Sequence, residues 1–182
     1  MRYITIDFET ANQNLDSACS IGMVIVDDDK VDIRKYLINP NQPFAYSNTL
    51  IHGITYEDVK DYPTFKEVWE EIKNEFTNSI VYAHNAPFDM SVLKACINRY
   101  NLELPSFKYG CTLQIARRLW KDELVNFRLS TISIFLELKH NHHNALSDAL
   151  VCVEIINRGM RVMQVDDDQA LYKQLGLKHK VL

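Results

Sequence analysis

The chain has 182 residues, 47% apolar and 24% charged, with only 5 Gly and 5 Pro. This is the balance of an ordinary globular protein, and it excludes collagenous, linker-like and broadly disordered chains. The net charge of −4 excludes a global positive field, so any nucleic-acid partner has to be held by a local site.

The length predicts a single domain over residues 1–182, large enough to bury about 70% of its unfolded surface. Tyr3 to Glu9 reads as a strand, with Ile4, Ile6 and Phe8 on one face and Thr5, Asp7 and Glu9 on the other. Cys19 to Val26 is a second β run. Asp27-Asp28-Asp29-Lys30 turns the chain, and Val31 to Ile38 returns as a hairpin partner. Asn39-Pro40 and Pro43 mark a loop. Pro63-Thr64 then opens a helix in which Phe65, Val68, Trp69, Ile72 and Phe76 recur at helical spacing. Ile80 to Ala83 is a short strand and a helix follows to Tyr100. Phe107 to Cys111 is a weaker strand, followed by helices around Leu113 to Trp120, Ser130 to Leu136, Ala145 to Met163 and Gln169 to Leu175. The order predicts an α/β protein whose mixed five-stranded sheet carries helices on both faces. The core is expected over about 1–163, with a short helix and tail over 164–182. Cys19, Cys96, Cys111 and Cys152 are scattered and lack a Cys-x-x-Cys pair, as in a reduced cytosolic protein. The chain enters Arg2-Tyr3-Ile4 without a leader-like segment, and no apolar run approaches the ~18 residues of a membrane span. A cytoplasmic protein with no membrane partner is expected.

Four carboxylates break the pattern of their own elements. Asp7 and Glu9 point the same way from the first strand, about 7 Å apart by strand rise. Asp89 shares a helical stripe with Val92, Leu93, Cys96, Ile97 and Tyr100. Asp148 shares one with Val151, Cys152, Ile155, Ile156, Val162 and Met163. One acid in a first helical turn gains about 0.3–1 kcal/mol from the helix dipole and needs no other explanation. Four acids on buried faces are different, because unpaired buried carboxylates are costly and require cations. No Lys or Arg shares these stripes, which leaves metal ions. An oxygen-only set favours Mg²⁺ or Mn²⁺ over zinc. Two divalent ions would neutralise the four acids and clamp the attacking and leaving oxygens of a phosphodiester. His143, in the loop entering the Asp148 helix, is placed to take a proton from water. His140 and His142 stand nearby and are expected to be solvated, although spacing alone does not choose among the three.

Asp7-Phe8-Glu9-Thr10, His84-Asn85-Ala86-Pro87-Phe88-Asp89 and His143-Asn144-Ala145-Leu146-Ser147-Asp148-Ala149 resemble the three motifs of the DEDD exonuclease superfamily. The likeness is to the proofreading (epsilon) subunit of bacterial DNA polymerase III and its stand-alone relatives. Ser17-Ala18-Cys19-Ser20-Ile21-Gly22 and His52-Gly53-Ile54-Thr55 support it. The family divides on whether a His stands five residues before the last Asp or a Tyr four before. His143 stands five before, so the chain resembles the His branch, DEDDh.

The resemblance implies a ribonuclease-H-like fold and 3′-to-5′ exonuclease activity on nucleic acid with a free 3′ end, single-stranded DNA foremost. It also implies two divalent metal ions, with Asp7 bridging both, Glu9 and Asp148 on one, and Asp89 on the other. His143 would be the general base. Thr10, His52, Ile54, Asn85 and Phe88 fall where the terminal nucleotide would bind, and Phe8 is expected to pack. Two alternatives are a short-RNA exoribonuclease and a non-catalytic nucleic-acid-binding module of the same fold. Arg117, Arg118, Lys121, Arg128 and Lys139 form either a solvated face or a phosphate grip. About 20 residues follow the long helix, so a stand-alone enzyme is expected rather than one tied to a replication or repair polymerase. Gln174-Leu175-Gly176-Leu177-Lys178 faintly resembles a sliding-clamp peptide, but reads more simply as a helix end.

Overall fold

A computed structural model describes residues 1–77 and 79–182. β1 (Arg2–Thr10) lies inside the sheet, and its alternation sorts side chains onto two covered faces. β2 (Ala18–Asp27) pairs with it antiparallel, and β3 (Lys30–Leu37) completes the hairpin predicted around the Asp-rich turn. On the other side β4 (Ile80–Ala83) and β5 (Lys108–Cys111) run parallel to β1, so the sheet is mixed.

The sheet has six strands rather than five, in the order β3-β2-β1-β4-β5-β6. The sixth, β6 (Lys180–Val181), is two residues long and pairs antiparallel with β5. A strand that short carries no readable alternation, which is why the sequence presents it as tail. Two short helices, α1 (Tyr46–His52) and α2 (Tyr56–Val59), also occupy the stretch between the Pro43 loop and Pro63. α1 buries none of its residues and so leaves no apolar stripe to detect.

The remaining helices fall close to their expected places. They are α3 (Phe65–Phe76), α4 (Pro87–Arg99), α5 (Thr112–Leu119), α6 (Leu129–Phe135), α7 (Ala145–Met163) and α8 (Asp168–Gln174). One face of β1 presents Ile4, Ile6 and Phe8 to a core that includes Trp69 and Ile72 of α3 and Leu93 of α4. The opposite face places Tyr3 with Ile115 of α5, Ile132 of α6 and Ile155 of α7. Val162 departs from the predicted α7 stripe and is exposed. In the tail, Leu175 and Leu177 pack on this second core, and Gly176 turns the chain at φ +67°. The helix-end reading of this segment therefore fits, with its two leucines engaged in the fold. All four cysteines are free and buried. Among the described residues no helix is long and apolar enough to cross a membrane.

α7 is seated directly on backbone. Gly22 of β2 lies opposite Asp7 in the ladder, and a Cβ there would meet the carbonyl carbon and oxygen of Ala145 at 2.3 Å. Thr5 Oγ1 donates to the Ala149 carbonyl at 2.8 Å, a second pin one turn further along. These two contacts set the height of Asp148 above β1. Gly22→Ala is therefore expected to lower stability by about 1–3 kcal/mol, the usual range for overpacking. It should also weaken divalent-metal binding, because α7 must lift; thermal melts with and without Mg²⁺ measure both effects.

Candidate active site

The C-terminal end of β1 brings Asp7 and Glu9 to the α7 side of the sheet, as the alternation predicts. Asp148 enters from the first turn of α7, where the Asn144 side chain caps the helix by accepting from Ser147 N at 3.3 Å. Asp89 enters from the first turn of α4, after the left-handed residue Asn85 (φ +63°) turns the chain out of β4. Its Oδ1 accepts from Phe8 N–H at 3.1 Å, which fixes this carboxylate against β1 from the other side. Four acids from three separate segments thus meet at one end of the sheet.

Their electrostatics follow from that convergence. Among the described residues, none of the ion pairs made by Lys or Arg involves any of the four. Burial first, and then the charges of Asp89, Asp148 and Glu9, hold the Asp7 carboxyl well above the usual carboxylate range. Glu9 is pushed up to about 8, by burial and then by Asp148 and Asp89. Burial raises Asp89 as well, against the lowering effect of the Phe8 N–H. A set of oxygen ligands held at this cost and lacking a protein cation fits hard divalent ions.

The three histidines divide differently from expectation. His143 sits at φ +60° with ligand atoms of Glu9 and Asp148 within 4.8 Å, and its ring lies tilted against that of His142, 3.8 Å between centroids. Burial and then His142 lower its pKa, which keeps the ring neutral near pH 7. His142 is solvated, as expected. His140 is not: its side chain is only 4% exposed, and Nε2 is hydrogen-bonded to Asp148 Oδ1. The expectation for His140 fails because the loop folds back beneath the start of α7, held by Asn141 N–H donating to Ser147 Oγ at 2.9 Å. A loop position has no periodicity to reveal such burial.

Of the residues expected at the substrate, Thr10 is buried at the end of β1, and His52 and Ile54 line a cavity with His143. His52 Nδ1 accepts from Ile54 N–H at 3.0 Å, so Nε2 carries the proton and donates to the Thr10 carbonyl at 3.1 Å. Burial lowers the His52 pKa, in keeping with this neutral tautomer. His52 thus clasps α1 to the end of β1. A cavity of about 250 Å³ runs from His52 and Ile54 to His143 and Asn144. Phe88 is 42% exposed beside Asp89, whereas Phe8 is buried in the core as expected. Asn85 is exposed on the turn. Sequence reasoning missed α1, which displays Tyr46 and Leu50 at 76% and 66% exposure. Asn48 Nδ2 ties this helix to Thr10 O at 3.0 Å. Arg117, Arg118, Arg128 and Lys139 are exposed, and Lys121 makes only a 3.8 Å contact with Asp122.

Comparison with known proteins agrees with this geometry. The RNase T family, described as exonuclease, matches residues 4–156, and the chain belongs to it. The PolC-type DNA polymerase III of Caldanaerobacter subterraneus is 32% identical over 167 residues, covering 89% of this chain but 12% of that protein. The 3′-5′ exonuclease DinG of Bacillus subtilis is 27% identical, over 86% of this chain and 18% of its own length. Among solved structures, exonuclease X in complex with 5′-overhanging duplex DNA aligns with a TM-score of 0.73 and 25% identity, over 92% and 96% of the two chains. The nuclease domain of 3′hExo, a DEDDh member bound to rAMP, shares the fold at a TM-score of 0.70 and 16% identity, over 88% and 92%.

The raised carboxylates have a measurable consequence. Folded-state pKa values above the unfolded ones mean that the folded metal-free protein binds more protons, so stability falls as pH rises. Metal-free protein is expected to melt progressively lower between about pH 5 and 8, the window bounded by an ordinary carboxylate and Glu9. Saturating Mg²⁺ should flatten that slope, and Asp7→Asn should raise the metal-free melting temperature at pH 8.

Proposed function

We propose that this chain is a metal-dependent 3′-to-5′ exonuclease that removes nucleoside monophosphates from single-stranded DNA ends. The convergence of Asp7, Glu9, Asp89 and Asp148 beside His143, with no Lys or Arg among the described residues in an ion pair with any of them, carries this reading. Asp7, Glu9 and Asp148 would hold one divalent ion, Mg²⁺ or Mn²⁺, and Asp7 with Asp89 a second. Such ions, when bound, supply Lewis-acid stabilisation at both the attacking and leaving oxygens.

The chain's own residues supply the rest. His143 has a lowered pKa and lies at the cleft, so its neutral ring can take a proton from the attacking water. Asp148 lies close enough to stabilise the imidazolium that results. Thr10, clasped by His52 and Asn48, presents the end of β1 to the terminal nucleotide. The exposed ring of Phe88 and the apolar surface of α1 at Tyr46 and Leu50 suit stacking of splayed bases. The exposed Arg117, Arg118 and Arg128 can meet upstream phosphates. DNA is favoured over RNA by the PolC-type DNA polymerase III relative and by the DNA held by exonuclease X.

A 5′-labelled single-stranded oligonucleotide with Mg²⁺ is expected to yield a ladder shortening from the 3′ end, and EDTA should abolish it. Asp7→Ala and Asp148→Ala should eliminate the activity while leaving a folded protein. His143→Ala should lower turnover by roughly 10²–10⁴-fold and remove the acid limb of the pH profile, while His142→Ala should not. Mismatched 3′ ends should be cut faster than paired blunt ends, since pairing must first be broken. A faster reaction on short RNA would reassign the substrate. Cleavage of a closed single-stranded circle would contradict the exonuclease reading, and binding without cleavage would indicate a non-catalytic module.

A further inference from the structure

His140, His142 and Asp148 form a second cluster, which shares Asp148 with the group formed by Glu9, His143 and Asp148. Its three ligand atoms lie within 4.8 Å of one another, with His142 Nδ1 at 3.8 Å from Asp148 Oδ1. The hydrogen bonding around His140 decides what this cluster can hold. Ser133 Oγ donates to the Ser130 carbonyl at 2.9 Å, so toward His140 Nδ1, at 3.0 Å, it acts as acceptor. Nδ1 therefore carries a hydrogen, and the Nε2 position is left facing the Asp148 carboxylate. A carboxylate only accepts, so either a hydrogen on Nε2, as in the hydrogen bond seen here, or a metal ion has to lie between the two atoms. This is also the arrangement of a metal-ligating histidine, whose other ring nitrogen is oriented by an outer hydrogen bond.

We infer that His140 Nε2, His142 Nδ1 and Asp148 Oδ1 form a zinc site that shares only Asp148 with the four-carboxylate set. Two imidazoles and one carboxylate suit Zn²⁺ and are poor ligands for Mg²⁺. Ligand atoms of a tetrahedral zinc stand roughly 3.3 Å apart, so the His142–Asp148 spacing needs little change. His140 would withdraw by about an ångström, exchanging its hydrogen bond for the metal, and the 41%-exposed His142 leaves the remaining position open to water. Occupancy takes Asp148 Oδ1 out of the four-carboxylate set. Zinc at this site is therefore inhibitory, a consequence that rests on the exonuclease reading although zinc binding itself does not.

The test is competition for Zn²⁺ between the protein and a chromophoric chelator, with Co²⁺ absorption as a second report on nitrogen ligation. With the four-carboxylate set saturated by Mg²⁺, wild type and Asp7→Ala are expected to bind a zinc at this cluster with similar affinity. His142→Ala and His140→Ala should bind it more weakly by on the order of tenfold or more, the scale seen when a metal site loses a supporting group. His142 is exposed, so its variant keeps the result readable even if His140→Ala fails to fold. In the Mg²⁺-supported assay, His142→Ala should need correspondingly more zinc for inhibition. Unchanged zinc affinity in His142→Ala, or its loss in Asp7→Ala, would overturn the site. Zinc binding as expected in a protein with no nuclease activity would keep the site and remove only its inhibitory role.

Discussion

Four carboxylates gathered at one end of a sheet repel one another, and nothing cationic among the described Lys and Arg residues answers them. The rest of the architecture works to keep them there. Phe8 N–H holds Asp89 from the β1 side, and the Gly22 contact and the Thr5 hydrogen bond set α7 down on the sheet so that Asp148 cannot retreat. The cost is visible in the raised pKa of Asp7 and Glu9. Such strain persists only where the surrounding packing over-determines it, and here two separate cores clamp the two faces of β1.

The same constraint explains the division of labour among nearby groups. His143 is partly buried and neutral, and it is suited to accept a proton. His140, three residues earlier, is spent on Asp148 and locked from behind by Ser133. His52, which shares the mouth, is used at both ring nitrogens to join α1 to Thr10. Three histidines around one cleft thus have three fates, each set by what its ring nitrogens meet. On the proposed reading, nucleic-acid binding at a net charge of −4 would also depend on these local arrangements, because no global field assists it.

Much of this was legible in the sequence. Strand alternation placed Asp7 and Glu9 together, and helical spacing turned Asp89 and Asp148 inward, because period and face are local properties. The motif likeness then identified His143, which spacing alone left undecided. What escaped reading was non-local or too short to carry a period. β6 is a strand only because β5 offers it an edge, and α1 buries nothing. The burial of His140 depends on a loop folding under α7, and the need for glycine at position 22 on the backbone of a helix more than 120 residues away.

Metal binding and carboxylate deprotonation should be one event at this site. Calorimetric titration of metal-free protein with Mn²⁺, repeated at pH 7 in buffers of different ionisation enthalpy, measures the protons released per metal bound. Two bound ions with net proton release are expected, the release diminishing above about pH 9 as Glu9 loses its proton unaided. Both the second ion and most of the release should disappear in Asp7→Asn. Metal binding without proton release, or binding undisturbed in Asp7→Asn, would contradict this coupling.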